Sequence, residues 1–76
     1  MNETTFRFEN DFALENPQEI GEFMLHAFSQ MVDVKFEQNP YNDWPLVKLE
    51  GHEEGVKFMV EEYWGEDCLE QVVPAL

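Results

Sequence analysis

The chain is short of basic residues, with four Lys/Arg against seventeen Asp/Glu among 76 residues and a formal net charge of −13. Direct binding of nucleic acid or of an anionic membrane needs basic surface patches. The charge argues against both as the main activity and favours a basic protein partner. The apolar fraction of 43% is too high for a disordered acidic tail. We therefore expect one folded domain, residues 1–76.

Cysteine is also scarce. Cys68 is the only one, so an intrachain disulfide is excluded. The N-terminal segment has no cationic stretch before an apolar one, as a signal peptide would have. No apolar run approaches the roughly 18–20 residues of a membrane helix. These absences lead us to expect a cytoplasmic protein without a membrane span.

Side chains with catalytic or metal-binding potential are few and poorly spaced. Ser29, the only serine, lies near His26 without a useful spacing. Cys68 and His52 form a possible thiol–base pair, although a small buried cysteine is the better interpretation. The adjacent residues 52–54 rarely converge on one metal, and no HExxH, CxxC or EF-hand pattern occurs. We predict no enzymatic activity, no cofactor and no metal site.

Each of the four basic residues is the middle of an apolar–basic–apolar triplet. The triplets are Phe6-Arg7-Phe8, Val34-Lys35-Phe36, Val47-Lys48-Leu49 and Val56-Lys57-Phe58. Alternation of this kind is typical of a strand with one buried face. It predicts four strands, at about 4–9, 32–38, 46–50 and 55–63. The last two strands would form a hairpin around Gly51 and Gly55.

One helix has clear boundary signals. Asn16 is a suitable cap, Pro17 suits the first helical position, and Glu19 completes an Asn-x-x-Glu capping box. Leu25 falls outside the apolar stripe that follows and is expected to be exposed. The stripe, which we expect to cover the sheet, consists of Ile20, Phe23, Met24, Ala27, Phe28 and Met31. A short final helix is predicted between Asp67 and Pro74.

These elements predict a two-layer α+β domain, in which one long helix covers a four-stranded, mainly antiparallel sheet in the order β-α-β-β-β-α. One alternative stays open, because Val56, Met59, Val60 and Tyr63 also fit a helical stripe. The order would then be β-α-β-β-α-β, which is ferredoxin-like, with a last strand at 69–73. The strand is preferred because Gly55 is poor inside a helix and no Ser, Thr, Asp or Asn cap precedes it.

In the strand interpretation the four bases share the outward sheet face with acids, and the unbalanced acids lie elsewhere. At one charge per ~1.7 Å of duplex, the net charge equals that of roughly 22 Å of DNA. A net charge of about 2–8 suffices for solubility, so a role in binding is indicated. Trp44 joins the candidates because it lies in a Pro-bounded loop. The candidate partner-binding residues are Glu19, Glu22, Glu53, Glu54, Glu61, Glu62, Glu66, Asp67, Glu70 and Trp44.

In size, charge and lack of catalytic groups, the chain resembles small acidic inhibitors encoded by phages and mobile elements. These include anti-restriction, anti-CRISPR and uracil-DNA glycosylase inhibitor proteins, several of which mimic DNA. The resemblance covers the composition of the whole chain and carries over no site residues. It implies a non-enzymatic protein that occludes the basic site of a nucleic-acid-binding protein. The alternative is a generic interaction or regulatory module, such as an immunity protein, an antitoxin or an ACT-like ligand-binding domain.

Overall fold

A computed structural model describes residues 4–75 of the chain. Its elements are β1 (Phe6–Asp11), α1 (Pro17–Ser29), β2 (Asp33–Glu37), β3 (Leu46–Gly51), α2 (Glu53–Tyr63), a 3₁₀ helix (Glu66–Gln71) and β4 (Val73–Pro74). The strands form one antiparallel sheet in the order β2-β3-β1-β4. Helices α1 and α2 cover one face of this sheet, and the other face is open. The prediction of an α+β domain with a four-stranded antiparallel sheet is confirmed.

The prediction of a strand at 55–63 is wrong, because this segment lies in α2. One long helix and the order β-α-β-β-β-α are therefore wrong as well. The strands and α-helices instead follow the alternative order, with the 3₁₀ helix inserted before β4. Strand β3 pairs with β1 and β2 rather than with a hairpin partner. Val56, Met59 and Val60 are fully buried at helical spacing, so burial against the sheet outweighs their strand preference.

Gly55 is needed in α2 although glycine weakens helices in general. A Cβ atom added at this position would lie 2.7 Å from the carbonyl oxygen of Gln30 and 3.1 Å from the side chain of Val32. The missing side chain thus allows the start of α2 to pass close to the end of α1. The feature that counted against a helix in the sequence is the feature that lets two elements pack.

The basic residues are divided between the sheet and α2. The placement of Lys57 on the sheet face is wrong, since its Nζ lies 2.7 Å from Glu53 Oε2, one turn earlier in α2. The other three bases lie on the open face, and Lys48 bridges Glu9 at 3.5 Å and Glu37 at 3.3 Å across the strands. The hydrogen bond to Glu37 and the charges of both carboxylates raise the pKa of Lys48 above its ordinary value.

Helix α1 begins as predicted but buries only part of its apolar stripe. The Oδ1 atom of Asn16 accepts a hydrogen bond from the backbone N–H of Gln18 at 2.8 Å. Phe23 and Ala27 are buried and Ile20 is half-buried. The expectation that the whole stripe is covered is wrong, because Phe28 is 82% exposed, Met31 is 81% exposed and Met24 is also exposed. As expected, Leu25 is exposed.

The end of α1 has the hydrogen bonds of a Schellman motif. The N–H of Val32 donates to the carbonyl of Ala27 at 2.8 Å, and the N–H of Met31 donates to the carbonyl of Phe28 at 3.0 Å. This motif places Met31 in the left-handed region, at φ 57°, where glycine is preferred. Because methionine takes the glycine position, no residue type in the sequence marks this helix end.

We expect Met31→Gly to raise the free energy of unfolding by about 0.5–1 kcal/mol, since glycine relieves the left-handed strain and the exposed Met31 side chain packs little. Thermal unfolding of the dilute protein measures the effect, and the midpoint should rise by about 4 °C. Ser29→Gly, inside the last turn, is the control and should destabilise the protein. A lower unfolding midpoint for Met31→Gly would contradict the inference that the Met31 backbone is strained.

The C-terminal segment also differs from the prediction of a short helix ending at Pro74. It forms the 3₁₀ helix and then the two-residue strand β4, in which Pro74 pairs with Phe6 and Val73 pairs with Arg7. The last strand of the alternative order was predicted at 69–73. The observed strand β4 is shorter than this and begins further along the chain, at Val73. Proline is compatible with this position because β4 is an edge strand and needs no ladder bond on its outer side.

Candidate interaction surface

Asp11, at the end of β1, organises the loop between β2 and β3. Its Oδ1 atom accepts a hydrogen bond from Asn39 Nδ2 at 2.6 Å, and its Oδ2 atom accepts one from Asn42 Nδ2 at 2.9 Å. Asn39 is the one buried polar side chain among the described residues. These bonds fix the loop to the sheet without a glycine or a disulfide.

The same loop presents two aromatic side chains to solvent, Tyr41 with 87% exposure and Trp44 with 40%. Their backbone N–H groups donate to side-chain oxygens of the loop, Tyr41 to Asn39 at 2.9 Å and Trp44 to Asn42 at 2.7 Å. An aromatic residue on an ordered loop loses little conformational entropy on binding. The loop around Trp44 is thus suited to contact a protein partner.

Three elements end close together at this part of the molecule. The indole N–H of Trp64, just after α2, donates to the carbonyl of Asp11 at 2.9 Å, and the N–H of Phe12 donates to the carbonyl of Pro45 at 2.8 Å. Asn10 Nδ2 donates to Gln71 Oε1 at 3.1 Å, which ties the 3₁₀ helix to the same end of β1. We call this end the acidic pole. From the positions of their elements, it contains Trp44 and the predicted site residues Glu19, Glu22, Glu61, Glu62, Glu66, Asp67 and Glu70.

A tyrosine–histidine contact joins α1 and α2 within the acidic pole. The hydroxyl of Tyr63 and Nδ1 of His26 are hydrogen bonded at 2.7 Å, and the Tyr63 ring packs on Phe23 with centroids 4.8 Å apart. Burial, followed by the negative charges of Glu62 and Glu22, raises the pKa of Tyr63. Both carboxylates therefore lie near the phenol, which stays neutral at physiological pH.

Two predicted site residues lie away from the acidic pole. Glu53 and Glu54 are in the first turn of α2, about 12 Å along the helix from Glu61 and Glu62 in its last turn. At that end His52 Nε2 is 3.1 Å from the carbonyl oxygen of Gln30, at the end of α1. Glu53 is also paired with Lys57. These acids have a structural role, because negative charge in the first turn of a helix is favourable.

The structure adds residues to the acidic pole that were not among the predicted site residues. Asp11 belongs there through its bonds to the loop, and Asp43 and Glu15 lie in the loop and just before α1. The asparagines at 39 and 42 indicated a turn in the sequence. Their shared carboxylate partner is 28 and 31 residues away in the chain, so no local pattern identifies it.

The charge is distributed unevenly over the surface. The open sheet face carries three bases and, with Asp11 at its end, five acids, whereas the rest of the described surface carries eleven acids and one base. That one base, Lys57, pairs with Glu53. Within residues 4–75, no lysine or arginine pairs with an acid of the acidic pole. Most of the net charge therefore lies off the sheet face.

Other kinds of site have less support in the described residues. Within 4–75, no three His, Cys, Asp or Glu side chains converge as a metal ion would require. No described helix has the length and apolar character needed to cross a bilayer. The open sheet face has a shallow depression of about 400 Å³, lined mainly by charged side chains that include Arg7, Lys35 and Lys48. These side chains lie next to acids, so the depression is not a strong anion site.

Comparison with known proteins gives no relative: no family model, no curated protein and no solved structure matches this chain. The function is therefore inferred from the surface.

Proposed function

We propose that the protein is a non-enzymatic acidic inhibitor that binds the basic site of a nucleic-acid-binding protein and occludes it. It would act in the cytoplasm as a DNA mimic of the anti-restriction or anti-CRISPR kind. The acidic pole is the surface that binds, and Trp44 contributes an apolar contact at its border. The protein needs no metal or cofactor for this role and binds neither nucleic acid nor membranes directly.

The observation that carries the proposal is the position of the C-terminal acids. Glu61 and Glu62 lie in the last turn of α2, which has no basic residue, and the 3₁₀ helix that follows adds three more acids. The charges of Glu61 and Glu62 oppose the dipole of α2, at a cost of about 0.3–1 kcal/mol for each charge, and all five acids repel one another. Acids crowded together without a basic partner among the described residues are best explained by an external basic partner.

The density of charge also supports mimicry of DNA. The molecule measures 39 × 26 × 22 Å. Its net charge equals that of roughly 22 Å of duplex, so charge per length across its shorter dimensions is comparable to that of DNA. Since the sheet face carries only a small part of the net charge, the charge is concentrated on the remaining surface. A protein site that binds the phosphate backbone of DNA would therefore encounter a similar negative electrostatic field at this surface.

A second candidate is the interaction module, which the aromatic loop favours. Tyr41 and Trp44 are exposed although the loop is ordered, and such residues are common at the centres of protein interfaces. In that case the acids are incidental and the aromatic contacts carry the affinity. Trp44→Ala should then remove most binding, and salt should have little effect.

The experiment is capture of binding proteins from a cell lysate by the immobilised protein, followed by steps of increasing salt. We expect the captured protein to be a nucleic-acid-binding protein and its affinity to fall at least about tenfold between about 50 mM and about 200 mM salt. The control uses the protein with Trp44→Ala, which should keep most of its affinity. Retention that does not depend on salt, and that is lost in Trp44→Ala, would contradict the proposal in favour of the interaction module.

A further inference from the structure

The two edges of the sheet differ in how they are protected. Strand β4 has only two residues and includes Pro74, which has no N–H to offer a neighbouring strand. Strand β2 has five residues and pairs only with β3 among the described strands. It has no proline, no bulge and no inward charge, so of the devices that usually prevent edge-to-edge pairing it carries only outward charge, on Asp33, Lys35 and Glu37. The outer edge of β2 is thus open to another strand.

Exposed apolar side chains lie along this edge. Phe23 and His26 of α1 face α2, through contacts with Tyr63 and Phe58. Phe28 is rotated away from them on the helix and so points away from α2, and α1 also contacts β2. The bond from Val32 to Ala27 keeps the end of α1 beside the start of β2. Phe28 therefore lies on the side of α1 away from α2, and the exposed Met31 side chain follows where the chain passes over Gly51 and enters β2.

The backbone conformation of Met31 adds to this observation. Methionine occupies a left-handed position at φ 57° with its side chain 81% exposed. Strain of this kind in a residue other than glycine is associated with functional sites. The backbone of Met31 closes the end of α1, but its exposed side chain has no part in that closure, and Glu19 of the acidic pole lies at the other end of the helix. An interface at the β2 edge would use this side chain.

We propose that this edge binds a second copy of the chain, with the two β2 strands antiparallel about a twofold axis at Val34. Asp33 of each copy then faces Lys35 of the other on the open side of the sheet, and Val34 faces Val34 on the helix side. The Phe28 and Met31 side chains of both copies meet over the joined sheet. An axis at Lys35 is disfavoured, because it would place lysine opposite lysine.

The surface charge also favours a second copy at this edge. The outward residues of β2 are Asp33, Lys35 and Glu37, so the strand is nearly balanced, and the acidic pole is turned elsewhere. The remaining repulsion between two acidic chains is long-ranged and is screened by salt. Dimerisation should therefore strengthen as salt rises, whereas binding to a basic partner should weaken. The dimer and the proposed function consequently succeed or fail independently.

Sedimentation velocity tests the dimer on the full chain, from low to high salt and up to about 1 mM protein. We expect a mass of twice 9.0 kDa that becomes more populated as salt rises. The double variant Phe28→Ser with Met31→Ser should weaken dimerisation at least about tenfold, whereas Tyr41→Ser, an equally exposed control, should not. A monomer under every condition, or a dimer that the double variant leaves unchanged, would overturn the proposal.

Charge reversal tests the pairing itself. Lys35→Glu should dissociate the dimer by placing a second carboxylate opposite Asp33 of the other copy, and adding Asp33→Lys should restore it. Both changes are compatible with the fold, because Lys35 faces Lys48 and Asp33 faces Glu50 within the sheet. Circular dichroism verifies folding. Met31→Gly, which should stabilise the fold, should still weaken the dimer. A double charge variant that remains monomeric would overturn the axis at Val34.

Discussion

A variant with the five C-terminal acids neutralised should bind the captured partner about a hundredfold more weakly and unfold at a higher temperature. Exposed ion pairs contribute about 0.2–1 kcal/mol each, so five of them account for a loss of this size. Stability should rise because like charges at the end of α2 no longer repel each other or oppose the helix dipole. The substitutions are Glu61→Gln, Glu62→Gln, Glu66→Gln, Asp67→Asn and Glu70→Gln.

The matched control neutralises acids that have partners within the molecule. Glu9 and Glu37 both pair with Lys48 on the open sheet face. Their replacement by glutamine should lower stability slightly and leave partner binding nearly unchanged. Isothermal titration and thermal unfolding measure both quantities on the same samples. Equal losses of binding in the two variants would show that total charge, rather than the acidic pole, carries the interaction.

Phe23→Ala should have the largest effect on stability, with a loss of about 3–5 kcal/mol. Phe23 is fully buried, and its ring contacts Phe12 at 4.9 Å, Tyr63 at 4.8 Å and Trp64 at 6.0 Å between centroids. A domain of this size has a stability of roughly 4–11 kcal/mol, so the variant should lose a large share of it and unfold at a much lower urea concentration. The ring connects both helices to the end of β1, which is why its loss should affect the whole domain.

Phe28→Ala provides the control for this prediction, on the same helix and with the same change of side chain. Phe28 is largely exposed, so its replacement should change the free energy of unfolding by no more than about 0.5 kcal/mol. Urea denaturation of both variants at low protein concentration gives the comparison. Similar losses for the two variants would mean that the orientation of α1 on the sheet is wrong.

Local patterns in the sequence predicted the elements that depend on local interactions. The cap at Asn16 and the alternation around Arg7, Lys35 and Lys48 each have a cause within a few residues, and the structure confirms the helix and the three strands. The limits of these elements differ by about two residues, which is within the fraying of helix and strand ends.

The predictions that were wrong concern elements that depend on contacts between residues distant in the chain. The helix at 53–63 requires a close approach between Gly55 and Gln30, and the end of α1 requires a methionine in a glycine conformation. Neither is visible in a local pattern. The alternation around Lys57 was misleading, because Val56 and Phe58 lie on different sides of α2 and only Val56 is buried. A triplet has too few residues to distinguish a strand from a helix.

For the candidate site, the sequence predicted which residues take part but not where they lie in the fold. The sequence identified the acids and Trp44, but only the fold separates Glu53 and Glu54 from the acidic pole and adds Asp11 to it. The ion pairs were also not predictable from the sequence. Glu53 pairs with Lys57, whereas the acids at 61–70 have no basic partner among the described residues. That difference decides which acids are available for a partner.

Mimicry of DNA is tested most directly by a competition between this protein and duplex DNA for the captured partner. A labelled duplex is bound to the partner, and its fluorescence anisotropy is followed as the acidic protein is added. We expect complete displacement of the duplex, with a midpoint that rises steeply with salt and that the five-acid variant shifts by about a hundredfold. A ternary complex, in which the partner binds the duplex and this protein together, would contradict mimicry of DNA.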